Sequence, residues 1–428
     1  MHFISTRSTE PPTPIDTALV AGLAPDGGLY VPERFPPVDF STPAPTLATT
    51  AARTLAPYFE TSALRDRLEA ICADAFSFAA PLRPLSGNGD HVLELFHGPT
   101  AAFKDYAARF LARALEGLRA PDAPATTILV ATSGDTGAAV ASAFHRRPGF
   151  KVVILYPDGK VSPRQAHGLG CWGDNVAAHR VDGSFDDCQR LVKQALADEA
   201  LRARVPLGSA NSISLGRLLP QAAYYAHAAS HFHAAHGEAL NVIVPTGNLG
   251  NASAAFVARS MGAPVGGIRL ACNANDTLPR YFHGADYAAQ PTRATLANAM
   301  DVGAPSNFER LRHWHASDDA LRTGFVAGSV DDATIREVIR EAPSRHGIVA
   351  CPHTATALKL LQDLRADGDA RPWAVVATAH PAKFESIVEP LVGHEVEPPP
   401  ALADCLARPA HAESMAADYD ALRALLAN

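Results

Sequence analysis

The chain has 428 residues, roughly three times the ~150 residues of a typical domain, so two or three packed lobes are expected and a peptide-sized module is excluded. Hydrophobic residues make up 47% and charged residues 19%, a balance that argues against intrinsic disorder and supplies a large core. The formal net charge of -7, with 37 Lys and Arg spread along the chain, leaves no basic footprint for a nucleic-acid backbone.

Glu10 to Pro14 and Asp26-Gly27-Gly28 are turn chemistry, and Pro36-Pro37 and Thr42 to Pro45 continue an irregular start, so the first ninety residues read as a helical cap with loops. At His91 the pattern changes. Val92 to Phe96 alternates as a short strand, His97-Gly98-Pro99-Thr100 is a turn, and Lys104 opens a helix. From there strand, glycine turn and helix repeat: Thr127 to Ala131 then Gly134 to Phe144, Lys151 to Tyr156 then a helix from Ser162, and Asn241 to Val244 then Asn251 to Ser260. Apolar β-branched runs separated by helix-length segments predict an α/β class with parallel βαβ units. Trp373 to Thr378 and Lys383 to Leu391 close the pattern before an acidic, proline-rich tail at Glu395 to Pro400. Six cysteines contain no C-x-x-C pair, and neither a signal-peptide core nor a membrane-length apolar run is present. The expectation is a soluble, cytoplasmic protein with no membrane partner.

Two glycine turns follow strands directly, where the free amides of the next helix attract anions. Thr246-Gly247-Asn248-Leu249-Gly250-Asn251 supplies two glycines and no basic side chain, which suits a phosphate held by backbone. Ala131 to Gly137 adds three hydroxyl side chains and suits a carboxylate that must be oriented. Neither turn is a dinucleotide fingerprint or a P-loop, and each also has the bland reading of a tight turn. Lys104 is flanked by Ala101, Ala102 and Phe103; desolvation there disfavours the ammonium and leaves an amine able to form a Schiff base with an aldehyde, although a lysine beside Asp105 is more commonly exposed. A phosphate-bearing aldehyde, a lysine and a hydroxyl for a ring nitrogen, supplied by Thr378, together describe pyridoxal phosphate. Against this, His227, His231, His233 and His236 form a weak metal-like run that reads better as an ordinary helix, with no metal expected, and Cys351-Pro352-His353 reads as a core cysteine near a turn.

The sequence resembles the threonine synthase family over essentially its whole length. The landmarks are Gly22 to Tyr30, Leu95 to Asp105, Ala131 to Val140, Ile154 to Pro163, Ser209 to Ile213, Ala299 to Gly303 and Thr378 to Phe384. The resemblance implies pyridoxal-phosphate fold type II (tryptophan-synthase-β-like): two open, twisted, mostly parallel sheets flanked by helices, with an extra N-terminal domain. It divides the chain into an N-terminal domain at 1–92 and a catalytic region at 93–428, whose smaller lobe runs roughly 93–215 and larger lobe roughly 216–428. It also implies that Lys104 carries the cofactor and is the catalytic base, that Gly247, Asn248, Leu249, Gly250 and Asn251 cradle its phosphate, that Thr378 faces the pyridine nitrogen, and that Asp135 lies near the 3′-oxygen. Ser133, Gly134 and Thr136 take the substrate carboxylate, and Lys160, Ser162, Asn211 and Arg217 take the substrate phosphate.

The expected reaction converts O-phospho-L-homoserine and water to L-threonine and phosphate, the last step of threonine biosynthesis, in a monomer or homodimer. Two departures from the family pattern stand out. The phosphate loop, usually S-G-N-F-G-D, reads Thr246 to Asn251, and the usual S-A-N-S-I-N ends in Ser214, which removes an asparagine near the substrate. That loss keeps a phospholyase or hydroxy-amino-acid dehydratase of the same fold as an alternative. A non-catalytic ligand-binding homologue is the alternative from another class, and the presence of Lys104 argues against it.

Overall fold

The computed structural model describes residues 1–7, 10–87 and 89–427. The apolar runs read from the sequence are strands, and the two at the centre of the largest sheet, Leu240–Pro245 and Trp373–Ala377, are buried at every position as a parallel sheet covered on both faces requires. Among the described residues the strands form three sheets. The largest is ordered Val326–Ser329, Val265–Cys272, Leu240–Pro245, Trp373–Ala377, His91–Glu94, Leu82–Pro84, parallel except for the last pair. The second is parallel throughout, in the order Glu413–Ala416, Val176–Asp182, Phe150–Pro157, Thr126–Ala131, Leu207–Gly208.

The helices lie where the turn chemistry puts them. Ser162 caps Pro163–Gly170 through a reciprocal capping box with Gln165, and Pro163 fills the first helical position, where its missing N–H costs nothing. Lys104–Leu118 buries Tyr106, Phe110 and Leu111, worth about 1.5–3 kcal/mol each, against the helices Ile15–Ala21, Leu68–Ala75 and Asp135–Phe144. One core cluster joins Phe3, Leu55 and Tyr58 of the N-terminal layer to Leu111, Leu215 and Tyr225, so this layer braces the helix that begins at Lys104.

Two regions differ from the sequence reading. The start is not only helix and loop: His2–Ser5 pairs antiparallel with Thr13–Pro14 and Tyr30–Pro32. Strands of two to four residues are too short for alternation to announce them. The chain also does not end in a proline-rich tail. Pro400 opens a helix to Leu406, Glu413–Ala416 joins the edge of the second sheet, and Tyr419–Ala427 buries Leu422 and Leu426 against Leu191 and Val192. Proline is tolerated at the first helical position, where its missing N–H costs nothing, so a proline-rich run can open a helix. The buried, free Cys171 and Cys405 meet here with sulfurs 3.0 Å apart.

The histidine run does structural work. His227 Nδ1 pairs with Thr50 Oγ1 at 2.8 Å and His231 Nε2 with Ala44 O at 3.0 Å, tying helix Ala222–His236 to the N-terminal layer. Burial pushes the pKa of His227 down to about 4, with His231 adding repulsion, and burial does the same to His353 and His380. Each folded value lies below the unfolded one near 6.5, so the unfolded chain binds more protons between about pH 6.5 and 4. Stability is therefore expected to fall steadily on acidification through that window, by up to about 1.4 kcal/mol per pH unit for each histidine. Urea unfolding midpoints at pH 7, 5.5 and 4.5 check this; equal midpoints would show that these histidines are protonated in the fold.

Candidate active site

Four loops meet where parallel strands of both large sheets end at their carboxyl ends, the usual place for a ligand in an open α/β sheet. His91–Glu94 leads to the Lys104 turn, Thr126–Ala131 to Asp135, Leu240–Pro245 to the Gly247 loop, and Trp373–Ala377 to Thr378. The first and last are laced together by backbone: Phe103 N donates to Thr378 O at 2.9 Å and His380 N to Ala101 O at 3.0 Å, with a bridge between Ala102 and Ala379. Lys104 and Thr378 are thus held side by side, although far apart in sequence.

Lys104 is the first residue of its helix, with its side chain only 12% exposed and Nζ 4.5 Å from the centre of the Phe103 ring. Its Nζ lies 3.8 Å from Asp135 Oδ2. Burial pushes its pKa down to about 8; Asp135 opposes this, and Lys383 and Arg217 add to it. Asp135 opens helix Asp135–Phe144, where the free amides favour negative charge. Burial alone would raise its pKa, but Lys383, at 2.7 Å from Oδ1, and then Lys104 hold it below the usual carboxylate range.

The turn before Asp135 needs glycine: Gly134 has φ of 134°, and a Cβ there would meet the Gln165 amide at 2.7 Å. Thr132 Oγ1 accepts from Gly134 N and Gly137 N, both at 2.9 Å, so one of the three hydroxyls expected for a ligand organises the turn instead. Ser133 and Thr136 remain half-buried at its rim.

The second glycine loop is tighter. Leu249 sits at φ of 62°, a left-handed conformation uncommon for a residue with a side chain, immediately before helix Gly250–Ser260. Asn248 fixes the loop by donating to Ser212 Oγ at 2.8 Å, and its carbonyl accepts from Asn307 Nδ2 at 2.8 Å. Asn251 Oδ1 accepts from Tyr224 and Tyr225 hydroxyls at 2.6 and 2.9 Å. Its Nδ2 is a buried donor with no partner among the described residues, and Ser214 Oγ and Ser253 Oγ are likewise unpartnered. Orphaned polar atoms around an amide-rich helix start fit a phosphate group, and the buried amine of Lys104 fits an aldehyde. These residues therefore fit pyridoxal phosphate.

The candidates for the substrate phosphate are more dispersed. Arg217 is 1% exposed, donates from Nη1 to Ala210 O at 2.6 Å, and has its pKa lowered by burial to about 10. Asn211 is half-buried beside it, whereas Lys160 is exposed. Ser162 Oγ is engaged twice, accepting from Gln165 N at 3.2 Å and donating to Lys383 O at 2.9 Å.

Sequence reasoning missed three residues. Lys383 is 3% exposed and donates to Thr100 O at 2.7 Å as well as to Asp135; its signal was its place in the Thr378 to Phe384 landmark. His353 is buried, accepts on Nε2 from Ala299 N at 3.1 Å, and faces Asp135 electrostatically. Gln165 Nε2 donates to Asp135 Oδ1 at 3.2 Å, and Gln165 Oε1 accepts from Asn298 Nδ2 at 3.1 Å. Cys351, expected as a core cysteine near a turn, is buried and in addition caps a helix, accepting from Thr354 N at 3.4 Å.

Comparison with known proteins identifies the family. The family described as pyridoxal-phosphate dependent enzyme matches residues 84–382, threonine synthase N terminus matches 2–76, and threonine synthase, C-terminal, matches 354–426. Threonine synthase of Escherichia coli strain K12 is 39% identical over 421 residues, 96% of each chain. The crystal structure of an Escherichia coli threonine synthase superposes with a TM-score of 0.90 at 37% identity, covering 100% of this chain and 99% of that one. The pyridoxal-phosphate-bound threonine synthase of Brucella melitensis superposes with a TM-score of 0.92 at 33% identity and the same coverage. The chain belongs to the threonine synthase family of pyridoxal-phosphate-dependent enzymes.

Proposed function

We propose that this chain converts O-phospho-L-homoserine and water to L-threonine and phosphate. The observation that carries the reading is Lys104: an amine buried where four strand ends converge, with its basicity lowered to about 8 and Asp135 Oδ2 at 3.8 Å. An amine of that basicity is part neutral near pH 7–8 and able to accept and return protons.

Lys104, Asp135, Thr378 and the amides from Gly247 to Asn251, with Asn248, Leu249 and Gly250 between them, would hold pyridoxal phosphate. When bound, this group supplies the electron sink that makes protons at Cα and Cβ of the substrate removable. Lys104 Nζ moves those protons, since it is the buried amine of lowered basicity at the junction of the loops. Asp135 stays ionised and orients the donors around it. Thr378 offers a neutral hydroxyl, so it places no negative charge on a ring nitrogen. Ser133, Gly134 and Thr136 take the substrate carboxylate at the helix start. Arg217 leads the phosphate contacts, because its Nε is buried and unpaired among the described residues. Asn211 and Lys160 assist it, and Ser162 contributes least because its hydroxyl already serves Lys383 O.

The purified chain, loaded with pyridoxal phosphate and given O-phospho-L-homoserine, is expected to form threonine and phosphate in equal amounts. Amino-acid analysis with a 2-oxo-acid assay reads the result. Phosphate accompanied by 2-oxobutanoate in place of threonine would turn the reading to a phospholyase of the same fold.

A further inference from the structure

The site contains a second buried lysine with no role in the reading above. Lys383 Nζ donates to Thr100 O and contacts Asp135 Oδ1, both at 2.7 Å, and its side chain is 4% exposed. The other carboxylate oxygen of Asp135 faces Lys104 Nζ at the longer distance of 3.8 Å. One carboxylate therefore stands between two amines and is closed on the one that is not expected to react. Bonds to a carbonyl and a carboxylate oxygen at once fix the head of Lys383 against Asp135.

We propose that Lys383 is a positioning residue that occupies the Asp135 carboxylate, and so keeps Lys104 available as the neutral amine that an aldehyde cofactor requires. This rests on the assignment of Lys104 as the cofactor lysine. The charged and titratable groups around Lys104 are few: Asp105 on its own helix, Asp135, Lys383 on the Pro381–Phe384 turn, Arg217 on Leu215–Leu218, and His353 on Pro352–Ala366. His353 is kept neutral by burial down to about pH 4. Asp105 accepts from Thr100 N and Oγ1 at 2.8 and 2.6 Å, which holds it toward the turn. Asp135 is left as the principal group favouring the Lys104 ammonium, and Lys383 is the group that competes for it. The lowered basicity of Lys104 agrees with this arrangement.

The test is the pH dependence of the rate at which the full chain, freed of cofactor, captures pyridoxal phosphate. Capture requires the neutral amine: an N–C bond forms at the aldehyde carbon, and the carbonyl oxygen leaves as water with the two amine hydrogens. Absorbance follows the rate, and borohydride reduction with peptide mass spectrometry locates the attachment. In the wild type the label is expected on Lys104, with a rate midpoint near pH 8. In Lys383→Met, Asp135 is freed to pair with Lys104, and the midpoint is expected to rise by about one pH unit or more. Lys383→Arg keeps the charge and is expected to keep the wild-type midpoint.

A label on Lys104 with superimposable profiles in wild type and Lys383→Met overturns the proposal while leaving the assignment of Lys104 intact. A purely structural strut would give that result, with lower stability alone. A label on another lysine overturns the assignment and the proposal together. If Lys383→Met does not fold, a wild-type midpoint at the ordinary lysine value, or a shifted midpoint in Lys383→Arg, still overturns it.

Discussion

Lys104→Ala is expected to lower threonine formation by at least about a thousandfold while the protein unfolds within a few degrees of wild type. Both halves follow from the geometry. Alanine is the best helix former, and position 104 begins a helix whose burial is carried by Tyr106, Phe110 and Leu111. Removing the amine leaves Asp135 compensated, because Lys383 remains at 2.7 Å and Gln165 at 3.2 Å. The buried carboxylate is therefore not stranded, which is the usual route to large destabilisation. The chemical loss is not compensated. Lys383 is the nearest alternative amine, but it is bonded to both Thr100 O and Asp135 and so is not free to swing into the place of Lys104. Turnover is read from threonine release and folding from thermal denaturation. The variant should also lose cofactor fixed to the chain by borohydride, and threonine formation near the wild-type rate would remove Lys104 from the mechanism.

How much of this was legible in the sequence depended on distance along the chain. Glycine turns after apolar runs located the strand ends, because a strand buried on both faces must be apolar and the turn beyond it must be tight. Lys104 was legible through its apolar neighbours. Lys383 was not, since an isolated lysine is exposed by default and its partners Thr100 and Asp135 come from remote segments. His353 was passed over for the same reason: its acceptor role depends on the backbone of Ala299, which only the fold brings near. The short edge strand Glu413–Ala416 has three exposed residues out of four and no alternation to betray it, so the return of the chain to the second sheet was hidden. The histidines of helix Ala222–His236 illustrate the converse. A metal-like spacing is resolved once their partners prove to be Thr50 and Ala44.

Gly247→Val is expected to weaken retention of pyridoxal phosphate by about ten- to a hundredfold, whereas Gly250→Ala should leave the loop's packing unchanged. From sequence the two glycines look equivalent, both serving close approach of a phosphate. The structure separates them. A Cβ at Gly247 would sit 2.7 Å from Met300 Cα and 3.2 Å from its carbonyl, and backbone cannot swing aside as a flexible side chain does. At Gly250 the nearest atoms are Asn307 Nδ2 at 3.6 Å and Ser212 O at 3.7 Å, an ordinary contact, at a position that already begins a helix. The displaced turn at Asn298–Met300 matters because it reaches the other side of the site: Asn298 donates to Gln165, and Gln165 to Asp135. A wedge at Gly247 thus disturbs the anion cradle and loosens the carboxylate that faces Lys104. Cofactor remaining after dialysis measures the effect, with unfolding midpoints to separate it from global instability. If Gly250→Ala loses cofactor as strongly as Gly247→Val while both remain folded, the phosphate itself occupies the space beside Gly250. If neither variant loses cofactor, the phosphate is held elsewhere, and the orphaned donors of Asn251 and Ser253 require another ligand.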